Sequence, residues 1–135
     1  MTLTPEDRGI VIRLRLQNAD EAHADAVVLL DRGSLRGAAN RTYYAIFHAI
    51  SALALAEGKV FCKHQGVISF FHSECVRTGR FDKRFGRIVQ QAFEDRAEAD
   101  YEDDVSLDGM VLRARIDEVR ELIDIVKRSW DTLYG

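Results

Sequence analysis

Asn40-Arg41-Thr42-Tyr43-Tyr44-Ala45-Ile46-Phe47-His48-Ala49 puts a cation, an imidazole and three aromatic rings into one segment that no proline or glycine interrupts. Such a segment reads as helix. At about 100° of rotation per residue, Arg41 and His48 fall within about 20° of each other, with Tyr44 between them on the same face. They can serve one site. A second row, Ala38, Ala45, Ala49, Ala52 and Ala56, recurs at helical spacing. Small side chains in a row let another backbone approach closely, which predicts a helix at the centre of a bundle.

The rest of the chain agrees with an all-α reading. Its 135 residues suffice for one hydrophobic core and not two, and the single proline, Pro5, leaves long helices uninterrupted. One domain spanning residues 1–135 is expected, an up-and-down bundle of about five helices. A 47% hydrophobic share beside 30% charged residues is that of a water-soluble fold. The net charge of −3 opposes broad attraction to nucleic acid, so any RNA contact must be local. Cys62 and Cys75 match no metal-ligand spacing and read as buried structural thiols. No basic segment leads into an apolar stretch at the start, and no apolar run nears the roughly 20 residues that cross a bilayer. A cytoplasmic protein with no membrane contact is expected.

Thr4-Pro5-Glu6-Asp7 opens a first helix with a hydroxyl cap, a proline in the first turn and two carboxylates at the positive end of the dipole. It runs to about Arg32, burying Leu16, Ala19, Ala22/His23, Ala26 and Leu29/Leu30 and leaving Arg13, Asp20 and Asp25 wet. Gly33-Ser34 supplies a stop and the next cap, a link short enough to set two helices antiparallel. The second helix ends near Glu57-Gly58, and Lys59 to Cys62 forms a loop. A shorter helix from about His64 turns Val67, Ile68, Phe71 and Cys75 inward until Thr78-Gly79 stops it. From Phe81 a fourth helix stacks Phe81, Phe85, Ile88/Val89, Ala92/Phe93 and then Arg96, so Arg96 continues an apolar stripe and needs a partner. The acidic run Glu98 to Asp104 is predicted to fray into a loop. Ser106 caps a last helix that buries Val111/Leu112, Ile116, Val119, Leu122/Ile123, Val126 and Trp130.

Three groupings bear chemistry. Arg41 with His48 suits metal-independent RNA cleavage, the imidazole taking the 2′-hydroxyl proton and the guanidinium steadying charge on phosphate oxygens; the same spacing also suits a core-edge histidine and an arginine lying along Tyr44. Arg96 reads either as a phosphate-facing cation with the Tyr101 hydroxyl beside it, or as an i, i+4 ion pair with Asp100. Lys63-His64-Gln65-Gly66 sits at a helix start, where N–H groups attract anions, or is an ordinary polar start. No Gly-rich phosphate loop, zinc pattern, HExxH or nucleophile elbow occurs, so no cofactor or metal is expected. His23 and His72 read as structural.

Arg41-Thr42-Tyr43-Tyr44-Ala45-Ile46-Phe47-His48-Ala49, Lys63-His64-Gln65-Gly66-Val67-Ile68, Phe81-Asp82 and Arg96-Ala97-Glu98-Ala99-Asp100-Tyr101 together resemble the HEPN-domain proteins of prokaryotes, most of all their small stand-alone branch. The resemblance runs from about Arg36 to Trp130. It implies a helical bundle that forms homodimers, and in many members a toxin-like or antiviral RNase encoded beside a minimal nucleotidyltransferase that serves as antitoxin. The family's catalytic pattern is an arginine and a histidine separated by four to six residues on a late helix. Arg96 matches that arginine, while Tyr101 stands where the histidine would be and Asp103 where some relatives carry a modified tyrosine. Arg41 and His48 keep the spacing on an earlier helix. On the catalytic reading, Arg41, His48 and Arg96 carry out the cleavage, with Tyr44, Lys63, His64 and Tyr101 contacting RNA. The alternative is a noncatalytic HEPN module that partners the nucleotidyltransferase.

Overall fold

In a computed structural model of the protein, which describes residues 3–101 and 107–133, Thr4 starts helix α1 (Pro5–Asp31) as its sequence predicts. Its Oγ1 accepts a hydrogen bond from the Asp7 amide at 3.1 Å. After Gly33, whose φ of 82° is open to glycine at no cost, α2 (Leu35–Ala56) folds back along α1. α3 (His64–Phe70) continues directly into a π-helical turn (Phe71–Val76); α4 (Lys83–Tyr101) and α5 (Gly109–Leu133) complete the chain. Among the described residues the fold is all-α, a bundle of five α-helices without strands.

Helix α2 is the axis, packing against α1, α3, α4 and α5. Ala38, Ala45, Ala49 and Ala52 on it are at most 1% exposed, so the row of small residues does bring neighbouring backbones close. Two apolar clusters result. The larger joins α1, α2, α3, α4 and α5 around Tyr43, Ile46, Phe71, Val89, Leu122 and Ile123; the smaller joins Ala26, Leu30, Ala38, Ala39, Ala99, Leu112 and Ile116.

Several details depart from the sequence reading. Asp20 keeps its contact with solvent but is not free, because Arg120 Nη2 donates to it at 2.8 Å and Lys127 also bonds it, tying α1 to α5. Ser34 stands at the N-cap of α2 but its hydroxyl makes no capping bond. The helix does not fray at Glu98: α4 reaches Tyr101, since Ala99 is buried in the smaller cluster and its carbonyl accepts from Arg36 Nη1 at 2.7 Å. Ser106 lies outside the described residues, as do 102–105; the carboxylate that caps α5 within them belongs to Asp108, which accepts from the Met110 and Val111 amides. Val111 is exposed and Leu112 takes the buried position. Cys75 is buried, and burial pushes its thiol up to about 11, whereas Cys62 is exposed. No helix among the described residues is long and apolar enough to cross a membrane.

Close packing at the alanine row makes a simple prediction. Ala49→Leu forces extra methylenes against α2's neighbours and should cost about 1–3 kcal/mol in urea denaturation, while Ala24→Leu on the exposed side of α1 should cost almost nothing. Equal stability for the two variants would contradict this packing.

Candidate functional site

The interior rows of α2 leave one polar edge, and Arg41, Tyr44 and His48 occupy it at helical spacing. Tyr44 is the meeting point. The Arg41 guanidinium carbon lies 4.9 Å from its ring centroid and that of Arg96, arriving from α4, lies 5.9 Å away. The rings of His48 and His64 stand 6.2 Å and 5.7 Å from the same centroid. Five residues singled out in the sequence thus converge from three helices. A ring with two cations within about 6 Å of its centroid is an electrostatically favourable platform, because the π-system's negative faces attract cations.

α3 delivers His64 by its first residue, and Tyr43 fixes the imidazole. Tyr43 is 1% exposed, its hydroxyl sits 2.9 Å from His64 Nδ1, and its ring stacks on the imidazole at 5.5 Å. Burial pushes the Tyr43 phenol up to about 12, against the pull of Arg96, so it stays protonated. A protonated phenol can donate to Nδ1 of the neutral imidazole, which leaves the ring proton on Nε2. Phe47 completes the clamp with its ring 4.3 Å from that of His64. Tyr43 is core, and Phe47 is half-buried beside it.

α4 delivers Arg96 through the stripe that begins at Phe85. Phe93 packs its ring against Tyr43 at 5.9 Å, and one turn on, the Arg96 guanidinium carbon lies 5.4 Å from the Tyr43 centroid. Arg96 Nε is 2.9 Å from Asp100 Oδ2, an i, i+4 ion pair. The approach is nonetheless off the N–H direction, so this buried N–H has no hydrogen-bond acceptor among the described residues. Both readings of Arg96 are therefore present in the geometry: a paired cation, and a donor that is still unsatisfied.

The two histidines share an electrostatic signature. Burial pushes the His48 imidazole below its ordinary value, and Arg41 and Arg15 push it further. His64 is lowered by burial first and by Arg96 second. Arg41 itself donates from Nε and Nη2 to Asn40 Oδ1, at 3.2 and 3.0 Å, and no carboxylate pairs with it among the described residues.

Lys63 is the exposed N-cap of α3 and makes no side-chain cap bond. The helix start beside it already uses the Gly66 and Val67 amides, which both bond to the Lys63 carbonyl. Tyr101 ends α4, and its side chain falls outside the described residues. His23 and His72 lie apart: His23 Nε2 is 3.1 Å from the Ile116 carbonyl, joining α1 to α5, and His72 sits on the π-helical turn. Sequence reasoning missed Arg15, whose Nη1 donates to the Ser51 carbonyl at 3.2 Å beside His48. Its signal was available, since Arg15 lies between Ile12 and Ala19 on the edge of a buried stripe, the same argument that marked Arg96.

A family model described as HEPN domain matches residues 12–132. Among similar proteins is a UPF0332 protein of Thermotoga maritima, 36% identical, with 88% of this chain and 96% of that protein covered. A protein of Methanocaldococcus jannaschii named as a candidate toxin is 36% identical over 69% of each chain. A UPF0332 protein of Pyrococcus horikoshii is 27% identical, covering 90% of this chain and 80% of its own.

Cations beside a histidine disfavour its protonated form, so removing them must raise its pKa. Arg41→Gln should raise the titration of His48 and leave His64 nearly in place, and Arg96→Gln should do the reverse, as read by NMR of the imidazole protons. Histidine pKa values that ignore both substitutions would contradict this arrangement.

Proposed function

From the premise that the chain belongs to the HEPN-domain family, we propose that it is a toxin-like protein that cleaves RNA without a metal ion, as a homodimer in a toxin-antitoxin or defence module. The observation that carries this reading is the convergence of Arg41, Arg96, His48 and His64 on the Tyr44 ring. RNA cleavage needs a base that is neutral at physiological pH and cations that tolerate a dianionic phosphorus centre. His48, lowered by burial and by its arginine neighbours, is such a base. It takes the 2′-hydroxyl proton, the 2′ oxygen attacks phosphorus, the bond to the 5′ oxygen breaks, and that oxygen takes back the proton held by His48. Arg41 and Arg96 steady the nonbridging oxygens as charge gathers on them. His64 Nε2–H and the Arg96 Nε–H supply hydrogen bonds to the same phosphate, and Lys63 and Tyr101 flank the strand. Relatives named as candidate toxins support the biological setting.

Charge supports two-fold pairing. A chain with net charge −3 gains a strong anion site by bringing two copies of its few free cations together. The antitoxin in such a module is a minimal nucleotidyltransferase. A second reading is favoured by one specific observation: Tyr101 stands five residues after Arg96, where the family pattern has histidine. In that reading the chain is a noncatalytic module that binds the nucleotidyltransferase.

Purified protein in excess chelator should cut single-stranded RNA to ends bearing 2′,3′-cyclic phosphate. His48→Ala should slow cleavage about 10²–10⁴-fold, and Arg96→Ala should weaken it while leaving dimer and melting temperature nearly unchanged. Full cleavage by His48→Ala would contradict the assignment; absent cleavage with a stable nucleotidyltransferase complex would favour the second reading. In sedimentation, a monomer that still cleaves would remove two-fold pairing from this reading.

A further inference from the structure

Beside the Tyr44 platform a cavity of about 340 Å³ opens between α1, α2 and the loop before α3. Its wall is divided by chemistry. Phe47, Phe61, Ala54 and Val67 form an apolar side, and Arg15, Asn18, His48, Ser51 and Lys59 form a polar one. Among the described residues no carboxylate lines it, although Asp and Glu outnumber Lys and Arg in the chain, 22 to 19. Arg15 is half-buried, and burial lowers its pKa, the sign of a cation held in place at an electrostatic cost. One of its donors goes to the Ser51 carbonyl; among the described residues no carboxylate offsets its charge. Lys59, by contrast, is paired with Glu74. The Phe61 wall is built deliberately close: a Cβ at Gly66 would come within 2.9 Å of Phe61 Cδ1, so only glycine at the start of α3 lets that ring lie where it does.

We propose that this cavity is a nucleotide subsite, in which Arg15 grips a phosphate and the base lies along the Phe47 and Phe61 side. Its volume falls at the lower end of ligand pockets and suits one nucleotide rather than a larger cofactor. An aromatic wall recognises any base by its flat face, and the exposed Asn18 amide at the rim carries both a donor and an acceptor for a base edge. His48 and Phe47 belong to the cavity and to the platform alike. A strand with its cleaved phosphate at Tyr44 can therefore place its neighbouring nucleotide here. That continuity rests on the RNA-cleaving reading, whereas binding of a single nucleotide does not.

The test is calorimetric titration of the full chain with each of the four 5′-ribonucleoside monophosphates, alongside cleavage of RNA. At least one should bind saturably, Arg15→Gln should weaken it at least tenfold, and Arg15→Lys, which keeps the charge, should recover most of the affinity. Arg96→Ala, on the platform, should leave mononucleotide affinity unchanged while impairing cleavage. Melting temperature and circular dichroism confirm that each variant is folded. Arg15-dependent binding in a chain that cuts no RNA would support the subsite and remove the RNase reading. Cleavage by a chain that binds no mononucleotide, or binds it equally well as Arg15→Gln, would overturn the subsite and leave the RNase reading standing.

Discussion

Helix α2 is enclosed by α1, α3, α4 and α5, and alanines at its contact points hold those neighbours so near that polar groups on it can emerge along one edge only. That restriction gathers Arg41, Tyr44 and His48 into a line. It also sets where the other elements must end. α3 begins at His64 because Tyr43, buried in the same core, holds the imidazole through its hydroxyl, and α4 presents Arg96 because Phe93 packs on the Tyr43 ring one turn earlier. The platform and the core are thus one construction, with Tyr43 as their shared member.

Charge reinforces what packing arranges. Elsewhere on the surface several cations are cancelled locally: Arg80 pairs with Glu57, Arg84 with Glu121, Arg113 with Asp31, Arg115 with Asp95, and Arg120 with Asp20 and Asp124. The exposed pairs among them add little to stability, but each pair removes a site that could attract an anion elsewhere. Arg41 and Arg15, which no carboxylate neutralises among the described residues, border the same histidine. Their charge is therefore available to an anion beside His48.

Much of this was legible in the sequence. Helical spacing located α2 and its alanine row, the Thr4 cap and the Gly33 and Gly58 stops located the helix ends, and the observation that Arg96 extends an apolar stripe anticipated a residue held among aromatic rings. Three features were not legible. Long-range capping escaped because it depends on partners far along the chain: Arg36 satisfies the Ala99 carbonyl across 63 positions, which keeps α4 helical through its acidic end. The clamp on His64 escaped because a hydrogen bond from Tyr43, 21 residues away, leaves no periodic trace. The π-helical turn at Phe71–Val76 likewise has no marker in a pattern of apolar spacing that fits an α-helix equally well.

Whether Arg41 and Arg96 act as one anion site can be measured without any chemistry taking place. A double-mutant cycle with Arg41→Ala and Arg96→Ala, read as affinity for a noncleavable 2′-O-methyl RNA, isolates the coupling between the two cations. Convergence on Tyr44 predicts that each substitution weakens binding and that together they depart from additivity by more than about 0.5 kcal/mol, with the coupling lost when Tyr44 is replaced by alanine. Unaltered affinity in either single variant, or effects that simply add, would contradict a shared site.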